Sequence, residues 1–318
     1  MSDYYTRKTC ELCRFDQFEP FKDIHRLNRR IVKCRKCGLI FVNPMERSFL
    51  TLDFEESENR ERKYRKMKCA AEQHGKHDED VINREEAIRT LHFRSRKQII
   101  ERYLNGGRLL DVGCGRGFFL SNFVGSNVDY VGVEPRRRIS EEARKRAGAE
   151  NIFCGTLKEA EFPSAYFDAV TMINLIEHLP SPADTLKEVN RVMKDSAVLL
   201  IETPNVDSFI PVILGSRWHA FLESEHHCFF SARTLTRMLN NTGFRVLSVT
   251  RGDKLFSVSY LLYRLGWYST SLPIYLQKVL GSLSLMKRTV KIPQFDELIV
   301  VARKKTDIGR TDKEEATA

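Results

Sequence analysis

The chain predicts an α/β fold: a mostly parallel sheet with helices on both faces, preceded by a small cysteine-bearing unit. Three observations predict it. Past residue 106, short apolar runs alternate with amphipathic stretches, the pattern of βαβ units. The first of those runs ends in an acid and a glycine-rich corner, Asp111-Val112-Gly113-Cys114-Gly115-Arg116-Gly117. Two Cys-x-x-Cys pairs stand near the start, Cys10/Cys13 and Cys34/Cys37.

Taken in order, residues 1–44 read as a zinc ribbon. Cys13 and Cys34 are separated by 20 residues, and two such knuckles match a tetrahedral site of four thiolates. Four thiolates leave no open coordination position, so the expected zinc is structural. A redox dithiol would explain one pair and leave the other without a role. Cys69, Cys114, Cys154 and Cys228 look unrelated, with Cys114 a small residue inside the glycine loop.

Residues 45–105 read as a charged helical linker or lid. Asn83 with Glu86 suggests a capping box, and Ile88, Leu91, Ile99 and Leu104 sketch an apolar stripe that Gly106-Gly107 ends. Residues 106–252 read as the catalytic domain. Its strand candidates are 108–112, 129–133, 151–153, 168–173, 197–202 and 244–250, with 297–302 beyond it. Its helical candidates are 117–124, 139–147, 182–193 and 231–242. Residues 253–293 read as an aromatic helical insert, with Phe256, Tyr260, Tyr263 and Trp267 on one helical face. Residues 294–304 supply a last strand, and 305–318 a polar, disordered tail.

Composition narrows the classes. No run of 18 apolar residues exists, and Met1 to Lys8 lack the apolar core of a secretory signal, so a cytoplasmic protein is expected. The net charge of +10 is uneven. Residues 1–43 carry 10 basic and 5 acidic groups, residues 253–318 carry 11 and 7, and the stretch 106–252 balances at 17 and 17. A neutral catalytic stretch disfavours nucleic acid as substrate. The aromatic insert, with Arg264, Lys278 and Lys287, has the composition of an interfacial segment, so peripheral contact with the inner membrane surface through 254–292 is an expectation.

The glycine corner lets a ligand lie against bare backbone. Glu134 ends the second apolar run 17 residues after Gly117, where an acid holds ribose hydroxyls. A dinucleotide fingerprint would place the third glycine one residue later, and a P-loop would need Gly-Lys-Ser/Thr. The motifs Leu-Asp-Val-Gly-Cys-Gly-Arg-Gly, Gly-Val-Glu134, Phe167-Asp168-Ala-Val and Ile176-Glu177-His178-Leu-Pro, taken in order over about residues 85–252, resemble the S-adenosylmethionine-dependent methyltransferases of the Rossmann-like class. The resemblance implies a seven-stranded sheet whose last strand, Asp296 to Ala302, is antiparallel. It also implies that Asp111, Gly113, Gly115 and Gly117 face the methionine part of S-adenosyl-L-methionine and that Glu134 holds its ribose. The turn Gly155-Thr156-Leu157 would flank adenine, and Asn174 would line the pocket near the sulfonium.

A neutral acceptor needs a base, and histidine is the usual choice. His178 follows Glu177 beyond the fourth strand. His226 sits in Glu225-His226-His227-Cys-Phe-Phe-Ser, and a Glu-His before an aromatic pair and Ser recurs in the family branch with N-terminal cysteine pairs. His219 and His227 are weaker candidates. Relatives acting on polyprenyl catechols carry Glu-x-x-Glu-His and resemble metal-dependent enzymes; Asn174 stands here for the first acid, which argues against a catalytic divalent ion. The expected acceptor is a small molecule, a sugar or glycan, or a lipid-linked compound. Two other readings stay open: an RNA methyltransferase that docks RNA through its ribbon, and a protein that only binds cofactor or partner. Against RNA, no Asn/Asp-Pro-Pro-Tyr motif follows the fourth strand.

Overall fold

The computed structural model describes residues 4–24, 27, 29–46, 78–257 and 289–305. The ribbon comprises β1 (Tyr4–Tyr5), β2 (Phe18–Ile24), β3 (Arg29–Cys34), β4 (Ile40–Val42) and β5 (Met45–Glu46). Helix α1 (Asp78–Glu101) leads into the main body. There β6 (Gly107–Val112), β7 (Val128–Val133), β8 (Ile152–Phe153), β9 (Phe167–Ile173) and β10 (Met193–Pro204) alternate with α2 (Arg137–Ala147) and α3 (Pro182–Val192). After β10 come α4 (Phe209–Leu214), α5 (His219–Leu222), β11 (Cys228–Phe229), α6 (Ala232–Asn241), β12 (Phe244–Ser257) and β13 (Thr289–Lys304).

Seven strands form one sheet in the order β12-β13-β10-β9-β6-β7-β8. β13 runs antiparallel to both β10 and β12, while β6, β7, β8, β9 and β10 are parallel. This is the Rossmann-like methyltransferase sheet the motifs imply. The strand period of two divides its core cleanly. Leu110, Val112, Val170, Met172, Leu199 and Ile201 face α3 and α6, and Leu109, Ala169, Leu200 and Ile299 face α2 and the end of α1. Val198 to Ile201 are buried on both faces, which is why that run is apolar without interruption.

Several elements depart from expectation. The helix at 117–124 is a single 3-10 turn, Leu120–Phe123, between Gly117 and Gly125, both at positive φ. Ser121 Oγ and Asn122 Nδ2 donate to the Phe118 carbonyl, 2.9 Å each, and take an acceptor that a regular helix would use. α1 begins at Asp78, so Asn83 and Glu86 lie inside it rather than at its start. Its buried face is Ile88, His92, Arg96 and Ile100, spaced by four, and Leu91 is exposed. The insert begins and ends as strand, not helix: Asp253 to Ser257 pair with Pro293 to Thr289, extending the β12–β13 ladder past the sheet. Phe256 therefore sits on a strand; Tyr260, Tyr263 and Trp267 lie outside the described residues, as do Cys69 and the tail from residue 306. No described helix is long and apolar enough to cross a membrane.

The ribbon does not stand apart from the body. β11, from the body, pairs antiparallel with β4 and completes a four-stranded sheet, β11-β4-β3-β2. Cys10, Leu12 and Phe41 share a core with Leu235 and Met238 of α6, and Ile24, Ile31 and Ile40 share another with Trp218 and Phe221.

Candidate active site

β6 delivers Asp111 and the glycine corner to the end of the sheet. The Gly113 and Cys114 amides both donate to the Val133 carbonyl at the tip of β7, 2.9 and 3.0 Å. The three glycines differ in purpose, although all have positive φ. A Cβ on Gly113 would stand 2.7 Å from Leu175 Cδ1, and one on Gly117 would stand 3.1 Å from the Ala143 backbone of α2. A Cβ on Gly115 would meet nothing within 4 Å. Gly113 and Gly117 thus allow close packing, while Gly115 faces open space. Cys114 points the other way, packed so tightly over Gly132 that a Cβ there would come within 2.7 Å of its Sγ.

Two buried carboxylates flank this corner. Thr171 Oγ1 donates to Asp111 Oδ1 at 2.7 Å. Burial pushes Asp111 up to about 7; the Thr171 hydrogen bond opposes that, and the Glu134 charge adds to it. Glu134 Oε2 accepts from the Gly115 amide at 3.1 Å, and Oε1 accepts from the Arg136 amide and Nε at 3.1 and 2.9 Å. The Gly155 amide donates to the Glu134 carbonyl, which brings Thr156 and Leu157 beside the same strand tip. Leu157 is buried, and Thr156 caps its own turn with Glu159, 2.7 and 2.8 Å. Asn174 is exposed, in the left-handed region at φ 50°, held by its amide to the Glu202 carbonyl. Acids, an open glycine and left-handed backbone suit a cation with an amino-acid end and a ribose better than a phosphate, which the two buried carboxylates would repel.

The two histidines, far apart in sequence, meet. The rings of His178 and His226 lie edge to face with centroids 4.6 Å apart. His178 Nδ1 faces the Glu225 carbonyl at 3.2 Å and His226 Nδ1 the Ala220 carbonyl at 3.0 Å. A carbonyl only accepts, so each Nδ1 carries the proton and each Nε2 keeps its lone pair. Burial lowers the His178 pKa to about 4; the Glu225 charge works against this and the Arg136 charge with it. Burial also holds His226 well below the ordinary range, helped by the charges of His178, His219 and Arg29. Both rings are neutral near pH 7. A Glu177 oxygen lies within 4.8 Å of a nitrogen on each, so the trio has the reach to share a cation, while Thr203 Oγ1 donates to Glu177 Oε2 at 2.9 Å. His219 turns instead toward Asp296, 3.6 Å away, and His227 bridges by backbone: its amide donates to the Glu177 carbonyl, and its carbonyl accepts from Val42 of β4.

The four cysteines converge as their spacing requires. Sγ atoms of Cys10 and Cys37 are 3.5 Å apart, those of Cys13 and Cys34 are 3.6 Å apart, and all four fall within 4.8 Å of one another. Zinc–sulfur bonds of about 2.3 Å in a tetrahedron set sulfurs about 3.8 Å apart, so the set fits that ion. The Gly38 amide donates to the Cys34 carbonyl, closing the second knuckle with Gly38 at φ 80°.

Two groups near the site escaped sequence reasoning. Arg96 of α1 donates through Nε and Nη2 to Glu202, 2.7 and 2.6 Å, both side chains fully buried, with His92 Nε2 3.8 Å from the same carboxylate. The four-residue spacing from Ile88 to Ile100 was the available signal, hidden because its middle positions are polar. Arg29, on the ribbon, reaches the loop before His226; no local pattern could mark it.

Comparison with known proteins gives the same assignment. A sequence profile of a methyltransferase domain matches residues 82–249. Ubiquinone biosynthesis O-methyltransferase of Alkalilimnicola ehrlichii is 29% identical over 122 residues, 36% of this chain and 49% of the relative. A Mycolicibacterium smegmatis protein assigned provisionally as an S-adenosylmethionine-dependent methyltransferase is 29% identical over 157 residues, 48% of this chain and 59% of the relative. The chain thus spans about half the length of these curated relatives. A Bacillus halodurans structure of a methyltransferase candidate superposes with a TM-score of 0.50 at 19% identity, covering 67% of this chain and 99% of that one. Sheet order, glycine corner and matched profile agree: the chain belongs to the S-adenosylmethionine-dependent methyltransferases of the Rossmann-like class.

Proposed function

We propose that the protein transfers a methyl group from S-adenosyl-L-methionine to a hydroxyl of a small-molecule, sugar or lipid-linked acceptor, with the His178–His226 pair as general base. The observation that carries this reading is the pair itself: two neutral imidazoles whose Nδ1 protons are committed to carbonyls, leaving Nε2 to accept. Asp111, the glycine corner and Glu134 would hold the donor, which supplies an electrophilic methyl group when bound. His178, the less buried ring, takes the acceptor proton on Nε2, and His226 behind it keeps the ring in place. Buried Ile176 and Glu177 back the turn that carries His178 and would help keep water from the acceptor side. The O-methyltransferase names of the relatives support an oxygen acceptor.

The neutral charge balance of residues 106–252 supports a small acceptor over RNA. The cysteine centre, on the same view, holds one structural zinc, which metal analysis of the purified chain should find at about one per chain. The reading is tested with methyl-labelled donor offered to nucleotide-sugars, polyprenyl catechols and bulk RNA. Label on a hydroxyl of the first or second class supports it. Label on RNA alone, or wild-type turnover in both His178→Gln and His226→Gln, refutes it.

A further inference from the structure

The loop from Ala220 to His226 shows an unusual distribution of its backbone carbonyls. Ala220 and Glu225 accept from the two imidazoles, as above. Three others accept from one side chain of another unit, the Glu223 carbonyl also from the His226 amide at 3.3 Å. Arg29, first residue of β3 in the ribbon, donates through Nη1 to the carbonyls of Phe221 and Glu223, 3.3 and 2.6 Å, and through Nη2 to the carbonyl of His226. Burial lowers its pKa to about 10, opposed by the charges of Glu223 and Glu46, so it stays protonated and keeps all its donors. One planar guanidinium thus fixes three carbonyls of the peptide whose remaining carbonyls choose the histidine tautomers.

We infer that Arg29 is a positioning residue for the acceptor half of the active site: it locks the 220–226 loop so that both imidazoles present an unprotonated Nε2. Without that fork the Phe221 and His226 carbonyls lose the donor Arg29 supplies and the Glu223 carbonyl keeps the His226 amide alone, which frees both rings to change tautomer. The inference gives the ribbon a task in the reaction rather than in substrate docking. β11 on β4 fixes where the loop ends, the amide of Val42 on the His227 carbonyl fixes its height, and Arg29 fixes its orientation. It rests on the proposed role of the histidine pair, but its test does not use turnover.

Arg29→Gln keeps polarity but is shorter and uncharged, and offers two donors on one nitrogen in place of a charged fork. Arg29→Lys keeps the charge and loses the fork. In each variant and in wild type, zinc content and affinity for S-adenosylhomocysteine report the ribbon and the cofactor half. Amide exchange over 219–228 and the imidazole ¹⁵N shifts of His178 and His226 report the loop. The expected result is unchanged zinc, cofactor affinity within threefold, exchange over 219–228 faster by tenfold or more in Arg29→Gln, and ring shifts moving from one fixed tautomer toward a mixture. Arg29→Lys should recover part of both. Wild-type exchange and wild-type ring shifts in Arg29→Gln would overturn the inference. So would loss of zinc and cofactor binding together in both variants, which would make Arg29 a residue of the whole fold. Whether the pair is the base is decided separately, by turnover of His178→Gln and His226→Gln.

Discussion

His178 and His226 stand 47 and 6 residues from the carbonyls that orient them, yet their rings meet edge to face at 4.6 Å. Burial is the main cause of the low pKa of both rings, and a charge on His178 would lower that of His226 further. That relation sets the first expected outcome. Replacing either with Gln should lower turnover by about 10²- to 10⁴-fold, the range for loss of a general base. Calorimetry should find affinity for S-adenosylhomocysteine within threefold of wild type. A drop confined to one of the two would identify the proton acceptor and leave the other as its support.

The same pair ties stability to acid. The folded pKa of His178 is about 4, below the ordinary 6.5, and His226 is lowered as well. The unfolded chain therefore binds protons there that the native chain refuses between about pH 6.5 and 4. The stability these rings contribute is complete above pH 6.5 and is lost as pH falls through that window. Thermal unfolding followed from pH 7.5 to 4.5 should show a falling midpoint in wild type and a shallower slope in the His178→Gln, His226→Gln double variant. Parallel slopes would remove the pair from the account.

The glycines predict opposite kinds of failure. Gly113→Ala would press a methyl to 2.7 Å from Leu175 and should destabilise the fold by roughly 1–3 kcal/mol through overpacking and strain. Gly115→Ala meets no protein atom, so its fold cost is the smaller strain of a positive φ, roughly 1–2 kcal/mol. Its methyl should project into the donor's space and weaken S-adenosylhomocysteine binding by tenfold or more. Denaturant midpoints and calorimetry on the two variants separate these effects.

Much of the body was legible because its signals are local. Strand alternation, the acid-glycine corner and the Cys-x-x-Cys spacing each lie within a few residues, and period and composition carry them. What was not legible is long-range. The face of α1 reads as ragged because His92 and Arg96 replace apolar residues on it, and the distant Glu202 is what helps make that burial tolerable. The run at 117–124 has helical spacing, but flanking glycines and back-bonding side chains shorten it. The strand ends at 253–257 and 289–293 are paired to each other, a partnership no single segment reveals.

The Arg96–Glu202 pair predicts a large stability effect. Glu202→Gln keeps the shape and removes the charge, so buried Arg96 loses the carboxylate it pairs with at 2.6 Å. Breaking a buried pair on one side costs about 3–5 kcal/mol. Because the Asn174 amide hangs on the Glu202 carbonyl, the loss should also loosen the start of the turn at 174–178. Urea unfolding should show the loss, and Arg96→Met with Glu202→Leu together should cost less than Glu202→Gln alone. A greater loss in the double variant would mean the pair does more than neutralise itself.

Asp111 links cofactor affinity to pH. In the unliganded protein its carboxyl is raised from 3.8 to about 7, chiefly by burial. The native chain holds a proton there between those values that the unfolded chain does not, so this group favours the fold below pH 3.8 and loses that contribution as pH rises through 7. The cofactor works in the other direction. With Asp111 facing its ammonium end, as the resemblance implies, binding would favour the ionised carboxylate and so release the proton wherever the free protein keeps it. Affinity for S-adenosylhomocysteine should therefore rise as pH climbs from about 6 toward 7, by up to about tenfold per unit, and level off above 7. Asp111→Asn should bind more weakly at every pH and show no such rise. The window from pH 6 to 8 lies above the titration of the histidine pair, which keeps the two effects apart. Calorimetry in buffers of different ionisation enthalpy would count the released proton directly. If wild type binds equally at pH 6 and pH 8, the carboxyl is already ionised in the free protein, and some other group must neutralise it.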